Sequence, residues 1–182
     1  MVDVICVGEA MLRYMSDSDD VTIGGAELNV AIALAQFGWD TTWLSVLPED
    51  DKGIVSHATA FGVDSLIFRS SGKVGEYMVN VEEKKVEYDR SDSAFAQLDA
   101  DSIPVRNLLT NAGWVHLTGI TPFLGDGPRA LWNRILTFAE IERKRSETVE
   151  NAQNAQYNHV ESLFFSSIVL GRPSPSQSRS SV

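Results

Sequence analysis

The sequence predicts an α/β fold in which a mainly parallel sheet is flanked by helices. Strand-like apolar runs alternate with helical segments over residues 2–68, and the joints between them are short. The first run, residues 2–7, is apolar almost throughout, which is typical of a parallel strand covered on both faces. Residues 74–89 break the pattern, because their alternation of apolar and polar side chains predicts an inserted β-hairpin.

Glycine and proline mark the ends of the predicted helices. The helix at 26–37 is apolar nearly all round, so we expect it to be buried, and Gly38 ends it. Pro128 suits the first turn of the last helix. After the first strand, the predicted elements are a loop or exposed edge at 13–22, a helix at 26–37, a strand at 41–47, a helix at 50–61, a strand at 63–68, the hairpin at 74–89, a helix at 101–111, a strand at 114–117 and a helix at 128–145.

Composition and charge exclude several classes of function. The 182 residues carry 25 acidic and 15 basic side chains, a formal net charge of −10, and this field repels nucleic acid and anionic membranes. No apolar run approaches the roughly 18 residues of a membrane span. The single cysteine, Cys6, allows neither an intramolecular disulfide nor a thiolate zinc site. Residues 1–7 lack the basic start of a signal peptide, so we expect a cytoplasmic protein.

The character of the sequence changes after residue 145. Residues 151–156 are amide-rich, and residues 171–182 contain only Gly, Arg, Pro, Ser, Gln and Val, a composition that builds no core. We therefore predict a folded domain at 1–145 and a divergent, largely disordered tail at 146–182. The apolar residues 163–170 would be an aggregation liability if they were exposed.

The strongest local signal for a binding site is Gly24-Gly25 followed by Asn29. Two glycines before a helix let a ligand approach the backbone, and the free N–H groups of a helix N-terminus bind oxygen atoms. Asn29, in the first turn, both donates and accepts hydrogen bonds, as a polyol requires. From the residues alone, a turn with a capping asparagine is an equally good interpretation.

Residues 24–31, Gly-Gly-Ala-Glu-Leu-Asn-Val-Ala, resemble the N-terminal signature of the ribokinase-like (PfkB) carbohydrate kinases, and their Ala-Glu pair is most similar to the 2-keto-3-deoxygluconate kinase branch. Further matches follow in the order of that branch: Gly8-Glu9, Gly62-Val63-Asp64, Gly75-Glu76-Tyr77, Tyr88-Asp89-Arg90-Ser91 and Leu117-Thr118-Gly119-Ile120. The resemblance covers residues 3–139. It implies a partial ribokinase-like fold whose C-terminal half is absent.

The resemblance also gives the hairpin a role, because in this family the inserted strands form a lid over the sugar and often mediate dimerisation. An arginine fork matches the carboxylate of a sugar acid, and tyrosine hydroxyls bind polyol oxygens. Without the resemblance, we would expect Arg90 to pair with Asp89 or Asp92 and Glu9 to cap the first loop. The residues that the resemblance places against a sugar or sugar acid are Gly24, Gly25, Asn29, Tyr77, Tyr88, Arg90 and Ile120.

The chain lacks the motifs with which the family handles its nucleotide. Neither Asp-x-Asn-x-Arg nor Gly-Ala-Gly-Asp follows the helix at 128–145, and the second motif supplies the family's catalytic base and anion hole. Family members use ATP and Mg²⁺. We expect neither to bind this chain alone, and we expect no catalytic residue in it. Asp126, between two glycines, predicts a turn, and His116, in an apolar strand, predicts a core histidine.

Three interpretations of function follow. The chain is the substrate-binding portion of an ATP-dependent sugar or sugar-acid kinase, with 2-keto-3-deoxygluconate as the implied substrate, and is inactive alone. Alternatively, it is a non-catalytic sugar-binding or dimerisation module that forms a homodimer, or pairs with a full-length kinase, through the lid. The third interpretation is a truncated gene product without function.

Overall fold

The computed structural model describes residues 2–153 and 167–171. Its helices are α1 (Ala26–Gln36), α2 (Ile54–Ala60), α3 (Val105–Leu109) and α4 (Asp126–Gln153), with short 3-10 turns at Ala100–Ser102 and Thr121–Phe123. Its strands are β1 (Val2–Val7), β2 (Met11–Met15), β3 (Ser18–Gly24), β4 (Thr41–Leu47), β5 (Asp64–Arg69), β6 (Gly75–Asn80), β7 (Lys85–Asp89), β8 (Ala112–Thr118) and β9 (Ser167–Gly171).

The larger sheet confirms the predicted α/β class. Its strand order is β5-β4-β1-β8-β9, and all neighbours run parallel except β8 and β9. The β1 strand occupies the middle, and its side chains alternate between two cores. Ile5 and Val7 pack in a cluster with Leu131 of α4, whereas Val4 and Cys6 pack in a second cluster with α1 and α2 residues. Helices therefore cover both faces, and the carboxyl ends of the parallel strands share one edge.

A second sheet of four strands, in the order β3-β2-β6-β7, is called the lid below. The predicted hairpin supplies β6 and β7, which pair antiparallel. Residues 13–22, predicted as a loop or exposed edge, form most of β2 and β3, and because β3 is an exposed strand at the edge of the lid, the second alternative is correct for that part. Asp19 and Asp20 interrupt the apolar pattern of β3, and tertiary pairing rather than local propensity makes these segments strands, because β2 pairs with β6 and β3 pairs with β2.

The helix predicted at 101–111 is interrupted. The Asp99 carboxylate accepts a hydrogen bond from the Asp101 N–H and caps a single 3-10 turn. Pro104 follows, and because it lacks an N–H and restricts the residue before it, the α-helix starts only at Val105. Asp126, predicted to lie in a turn, is the first residue of α4.

Two parts of the predicted tail have regular structure. The α4 helix continues to Gln153, since residues 146–153 contain no glycine or proline to end it. Ser167–Gly171 pairs antiparallel with β8 as β9. The backbone of this segment thus pairs with what would otherwise be the open edge of β8. Residues 154–166 and 172–182, where the rest of the predicted disorder falls, lie outside the described residues.

Candidate functional site

The glycine pair lies where the lid meets the larger sheet. Gly24 ends β3 and Gly25 precedes α1 with a φ of 152°. A β-carbon at Gly25 would lie 2.6 Å from the backbone oxygen of Glu9, so only glycine fits there without strain. No side chain caps the N-terminus of α1, and Asn29 is exposed one turn further on. This arrangement leaves backbone and amide donors available to an oxygen-rich ligand.

The two lid tyrosines extend the site from the glycine pair. The Tyr77 hydroxyl lies directly against Gly24, where a β-carbon would overlap it. Tyr77 and Tyr88 face each other across β6 and β7, and their ring centroids are 5.6 Å apart. Tyr88 is 60% exposed, so much of its ring is open to a ligand. The lid therefore presents two hydroxyls and an apolar surface, which is what a sugar ring or chain requires.

Arg90 follows the lid and is tied to the larger sheet by Glu9. Its Nε donates to Glu9 Oε2 at 2.8 Å, and its Nη2 lies 2.5 Å from the same oxygen. The Arg90 Cζ is 5.8 Å from the centre of the Tyr88 ring. The alternative in which Arg90 pairs with Asp89 or Asp92 does not hold, because both of these acids pair with Lys73. The sequence left two roles open for Glu9, capping the first loop or taking part in the site. In the structure, Glu9 orients the Arg90 guanidinium.

The ion pair between Glu9 and Arg90 lies away from bulk water. The Glu9 side chain is 2% exposed and the Arg90 side chain 17% exposed. Burial raises the pKa of the Glu9 carboxyl, although the Arg90 charge opposes the rise. Among the described side chains, nothing donates a hydrogen bond to Glu9 Oε1. Burial is thus the larger influence on this carboxylate, and Arg90 only partly compensates it.

A second buried carboxylate holds the segment that carries Ile120. Glu27, in the first turn of α1, is 3% exposed. Its Oε1 accepts hydrogen bonds from Thr118 Oγ1 at 2.5 Å and Thr121 Oγ1 at 3.3 Å. A β-carbon at Gly8 would overlap the Glu27 carboxylate, so the glycine makes room for it. The two threonines bracket Ile120, which is 48% exposed.

Three other candidates lie outside this arrangement. His116 is 5% exposed within β8, and burial lowers its pKa while Glu27 opposes the change. Burial raises the pKa of the Cys6 thiol to about 12, with Glu27 adding to the rise, so the thiol stays protonated. Asp126 points into solvent and its nearest cation is Arg129, at 3.5 Å. These positions agree with structural roles.

The structure brings most of the predicted residues together through direct contacts. Gly24, Tyr77, Tyr88 and Arg90 form a continuous row, and Gly25 and Asn29 belong to the adjoining helix N-terminus. Ile120 joins the site only indirectly, through the threonines bound to Glu27. Sequence reasoning missed the role of Glu27. The available signal was a charged residue at the start of a helix that is otherwise apolar.

The carboxylates near the glycine pair are bonded to other side chains of the described fold. Within the described ranges, no three His, Cys, Asp or Glu side chains are grouped so that they would hold a metal ion. The two carboxylates nearest the glycine pair are already bonded, Glu9 to an arginine and Glu27 to threonines. Both carboxylates therefore serve internal contacts of the described fold.

Open parallel α/β sheets commonly carry a ligand site at the carboxyl ends of their strands, and in this chain the tyrosine-bearing lid lies at that edge. The family model for pfkB family carbohydrate kinases matches residues 1–165, and the chain belongs to this family. The match passes residue 145, where the sequence predicts a domain boundary. None of the helices in the described part of the chain is long and apolar enough to cross a membrane.

Relatives and solved structures agree with the family. The chain is 31% identical over 140 residues to 2-dehydro-3-deoxygluconokinase of Bacillus subtilis, covering 68% of this chain and 43% of that protein. It is 26% identical over 153 residues to 2-dehydro-3-deoxygalactonokinase of Haloferax volcanii, covering 75% and 48%. The crystal structure of 2-dehydro-3-deoxygluconokinase from Thermotoga maritima matches with a TM-score of 0.71 at 33% identity, over 78% of this chain and 48% of that one. This chain thus spans about half the length of the relatives it matches.

Proposed function

We propose that this chain is the sugar-binding portion of an ATP-dependent sugar-acid kinase and catalyses no phosphotransfer alone. The substrate class we propose is 2-keto-3-deoxygluconate, another name for 2-dehydro-3-deoxygluconate, and its close isomers. The observation that carries the proposal is the row from Gly24 through Tyr77 and Tyr88 to Arg90, held against the uncapped N-terminus of α1. A cytoplasmic location stays a prediction.

Each part of the row supplies what a sugar acid requires. The glycine pair and the α1 N-terminus offer N–H donors, and Asn29 offers both a donor and an acceptor to hydroxyl groups. Tyr77 and Tyr88 shield the apolar faces of the carbon chain while bonding its oxygens. Arg90 keeps its Nη1 edge for a carboxylate, because Glu9 occupies only Nε and Nη2. Ile120 adds an apolar contact at the rim.

Transfer of a phosphoryl group requires more than these residues provide. The reaction depends on positioning the nucleotide, neutralising its charge and placing a base at the attacking hydroxyl. The sequence contains no Gly-Ala-Gly-Asp motif, and the site's buried carboxylates are bonded within the protein. We propose that those functions belong to residues that this sequence does not contain.

Equilibrium dialysis of the purified chain against 2-keto-3-deoxygluconate tests the proposal, with ADP release measured in parallel with ATP and Mg²⁺ present. We expect saturable sugar binding and no ADP above the rate without protein. Asn29→Ala should weaken binding by roughly 10-fold, the worth of about one good hydrogen bond. Asn107→Ala is the matched control, since Asn107 is an exposed asparagine on α3. Sugar-dependent ADP release, or equal binding by the two variants, would overturn the proposal.

Pairing through the lid is a second candidate function, and one observation favours it. Tyr88 and Val86 project from the same side of β7, and Val86 is 43% exposed, so an apolar strip continues beyond the tyrosines. A second lid, from another copy or from a full-length kinase, would cover it. Sedimentation equilibrium tests this: we expect a dimer that Val86→Glu converts to monomer, and a wild-type monomer that captures no kinase subunit would refute it.

A further inference from the structure

A second arginine, Arg13, lies on the same side of the lid as the two tyrosines. The register pairs Arg13 of β2 with Tyr77 of β6 and with Thr22 of β3. Residues paired across neighbouring strands project from the same face of a sheet. Because the Tyr77 hydroxyl contacts Gly24, this face is turned toward the glycine pair. Thr22, Arg13, Tyr77 and Tyr88 therefore form one row across the lid.

The Arg13 side chain is oriented but not neutralised. Its Nε donates to Thr22 Oγ1 at 2.8 Å in a partly buried setting. That bond fixes the plane of the guanidinium and leaves its two terminal nitrogens for another acceptor. Among the side chains that the structure describes, no carboxylate forms an ion pair with Arg13. Within the described residues, Arg13 thus lacks a carboxylate partner although the chain has a net charge of −10.

The two arginines near the site therefore differ in their electrostatic effect. Arg90 and Glu9 form a pair with no net charge, so Arg90 donates hydrogen bonds without making the site positive. Arg13 carries a full charge on the ligand-facing side of the lid. A carboxylate that enters between the lid and the glycine pair would be attracted mainly by Arg13.

We propose that Arg13 selects the negatively charged group of the substrate, the carboxylate of a sugar acid, and thereby discriminates against uncharged sugars. The proposal rests on the sugar-binding function proposed above and adds its specificity determinant. Thr22 acts as a positioning residue, since it orients the guanidinium and lies behind it. Arg90 complements this role by donating hydrogen bonds to the same or a neighbouring oxygen.

The test compares the affinity for 2-keto-3-deoxygluconate with the affinity for its carboxamide, which has the same shape and no charge. Wild type should prefer the acid by about 10- to 100-fold, the range expected of a charge-assisted hydrogen bond. Arg13→Met should lose most of this preference by weakening acid binding alone. Arg13→Lys should keep most of it, and Thr22→Val should weaken acid binding by roughly 2- to 5-fold through loss of orientation.

Arg106→Met is the matched control, because Arg106 is an exposed arginine on α3, and it should behave as wild type. Near-ultraviolet circular dichroism checks the fold of each variant, and Arg13→Gln replaces Arg13→Met if the latter does not fold. A wild-type preference that survives in the folded Arg13 variant overturns this inference and leaves the sugar-binding proposal standing. Equal affinity of the wild type for the sugar acid and for its carboxamide also overturns this inference and leaves the sugar-binding proposal standing. Wild type that binds neither compound overturns both.

Discussion

Removing Arg90 should destabilise the folded chain, because it leaves the Glu9 carboxylate buried without a counter-charge. Breaking a buried ion pair by deleting one partner costs about 3–5 kcal/mol. The Glu9 side chain is almost fully buried and that of Arg90 is 17% exposed, so we expect the lower end, about 3 kcal/mol for Arg90→Met at pH 7.5. With a denaturant slope of about 2 kcal/mol per molar urea, the unfolding midpoint should fall by roughly 1.5 M.

The effect should depend on pH in a defined direction. Burial raises the pKa of Glu9 in the folded state, and Arg90 is the main influence that lowers it. Without Arg90 the folded-state pKa rises further, so the folded variant binds a proton that the unfolded chain releases. The stability of Arg90→Met should therefore decrease as the pH rises from the ordinary glutamate pKa through the raised one. The loss of unfolding free energy in Arg90→Met relative to wild type should be small at pH 4.5 and largest at neutral pH.

Urea unfolding followed by tryptophan fluorescence measures this, since Trp43 is fully buried. Glu9→Gln removes the charge that needs a partner, so the double variant Glu9→Gln/Arg90→Met should be more stable than Arg90→Met at pH 7.5. Glu9→Gln alone leaves the mostly buried Arg90 guanidinium without a counter-charge, so it should also destabilise the chain, but less than Arg90→Met does, because Arg90 retains some contact with water. Lys73→Met, which breaks an exposed pair, should leave the midpoint nearly unchanged. A midpoint shift below about 0.3 M for Arg90→Met would refute the reasoning, as would a double variant no more stable than it.

Two further predictions concern Glu27 and β9. Glu27→Leu should destabilise the chain by about 2–4 kcal/mol, because two threonine hydroxyls lose their acceptor. Glu27→Gln should retain most of the stability. Thermal unfolding of both variants checks this, and equal losses of stability in the two variants would contradict it. A chain ending at residue 153 lacks β9 and exposes the edge of β8. Its β8 amides should therefore exchange faster with deuterium, and the chain should aggregate more readily. Unchanged exchange at residues 114–118 would contradict the pairing of β8 with β9.

Local pattern was enough to predict the four parallel strands of the larger sheet, but not β9, which falls in the predicted tail. The strands at 2–7 and 41–47 begin and end where predicted, because buried parallel strands need apolar residues at nearly every position. Strand β2 was not predicted, since its partner β6 lies more than 50 residues away along the chain, and the apolar pattern of β3, which pairs with β2, is interrupted by Asp19 and Asp20. Apolar periodicity alone also could not predict that this helix begins at Val105, after Pro104, rather than at residue 101.

The candidate site likewise contains some features that the sequence could predict and others that it could not. The glycine pair and Asn29 are contiguous in sequence, so their location at the start of a helix could be predicted. The partner of Arg90 could not, because Glu9 is 81 residues away and the acids adjacent to Arg90 were the obvious alternatives. Glu27 acquires its role only when β8 places Thr118 beside it. Tertiary burial, rather than residue type, decides which carboxylates orient the site.

The most direct test of the sugar-binding proposal is a crystal structure of the chain with 2-keto-3-deoxygluconate. We predict the sugar acid between the lid and the glycine pair, with Asn29, Tyr77 and Arg90 within hydrogen-bond distance and its carboxylate against Arg13. An open groove of about 600 Å³ at the far end of the lid, lined by residues including Tyr14, Asp17 and Val21, contains none of the predicted site residues. Sugar bound in that groove, or a glycine pair left empty at saturating concentration, would contradict the proposal.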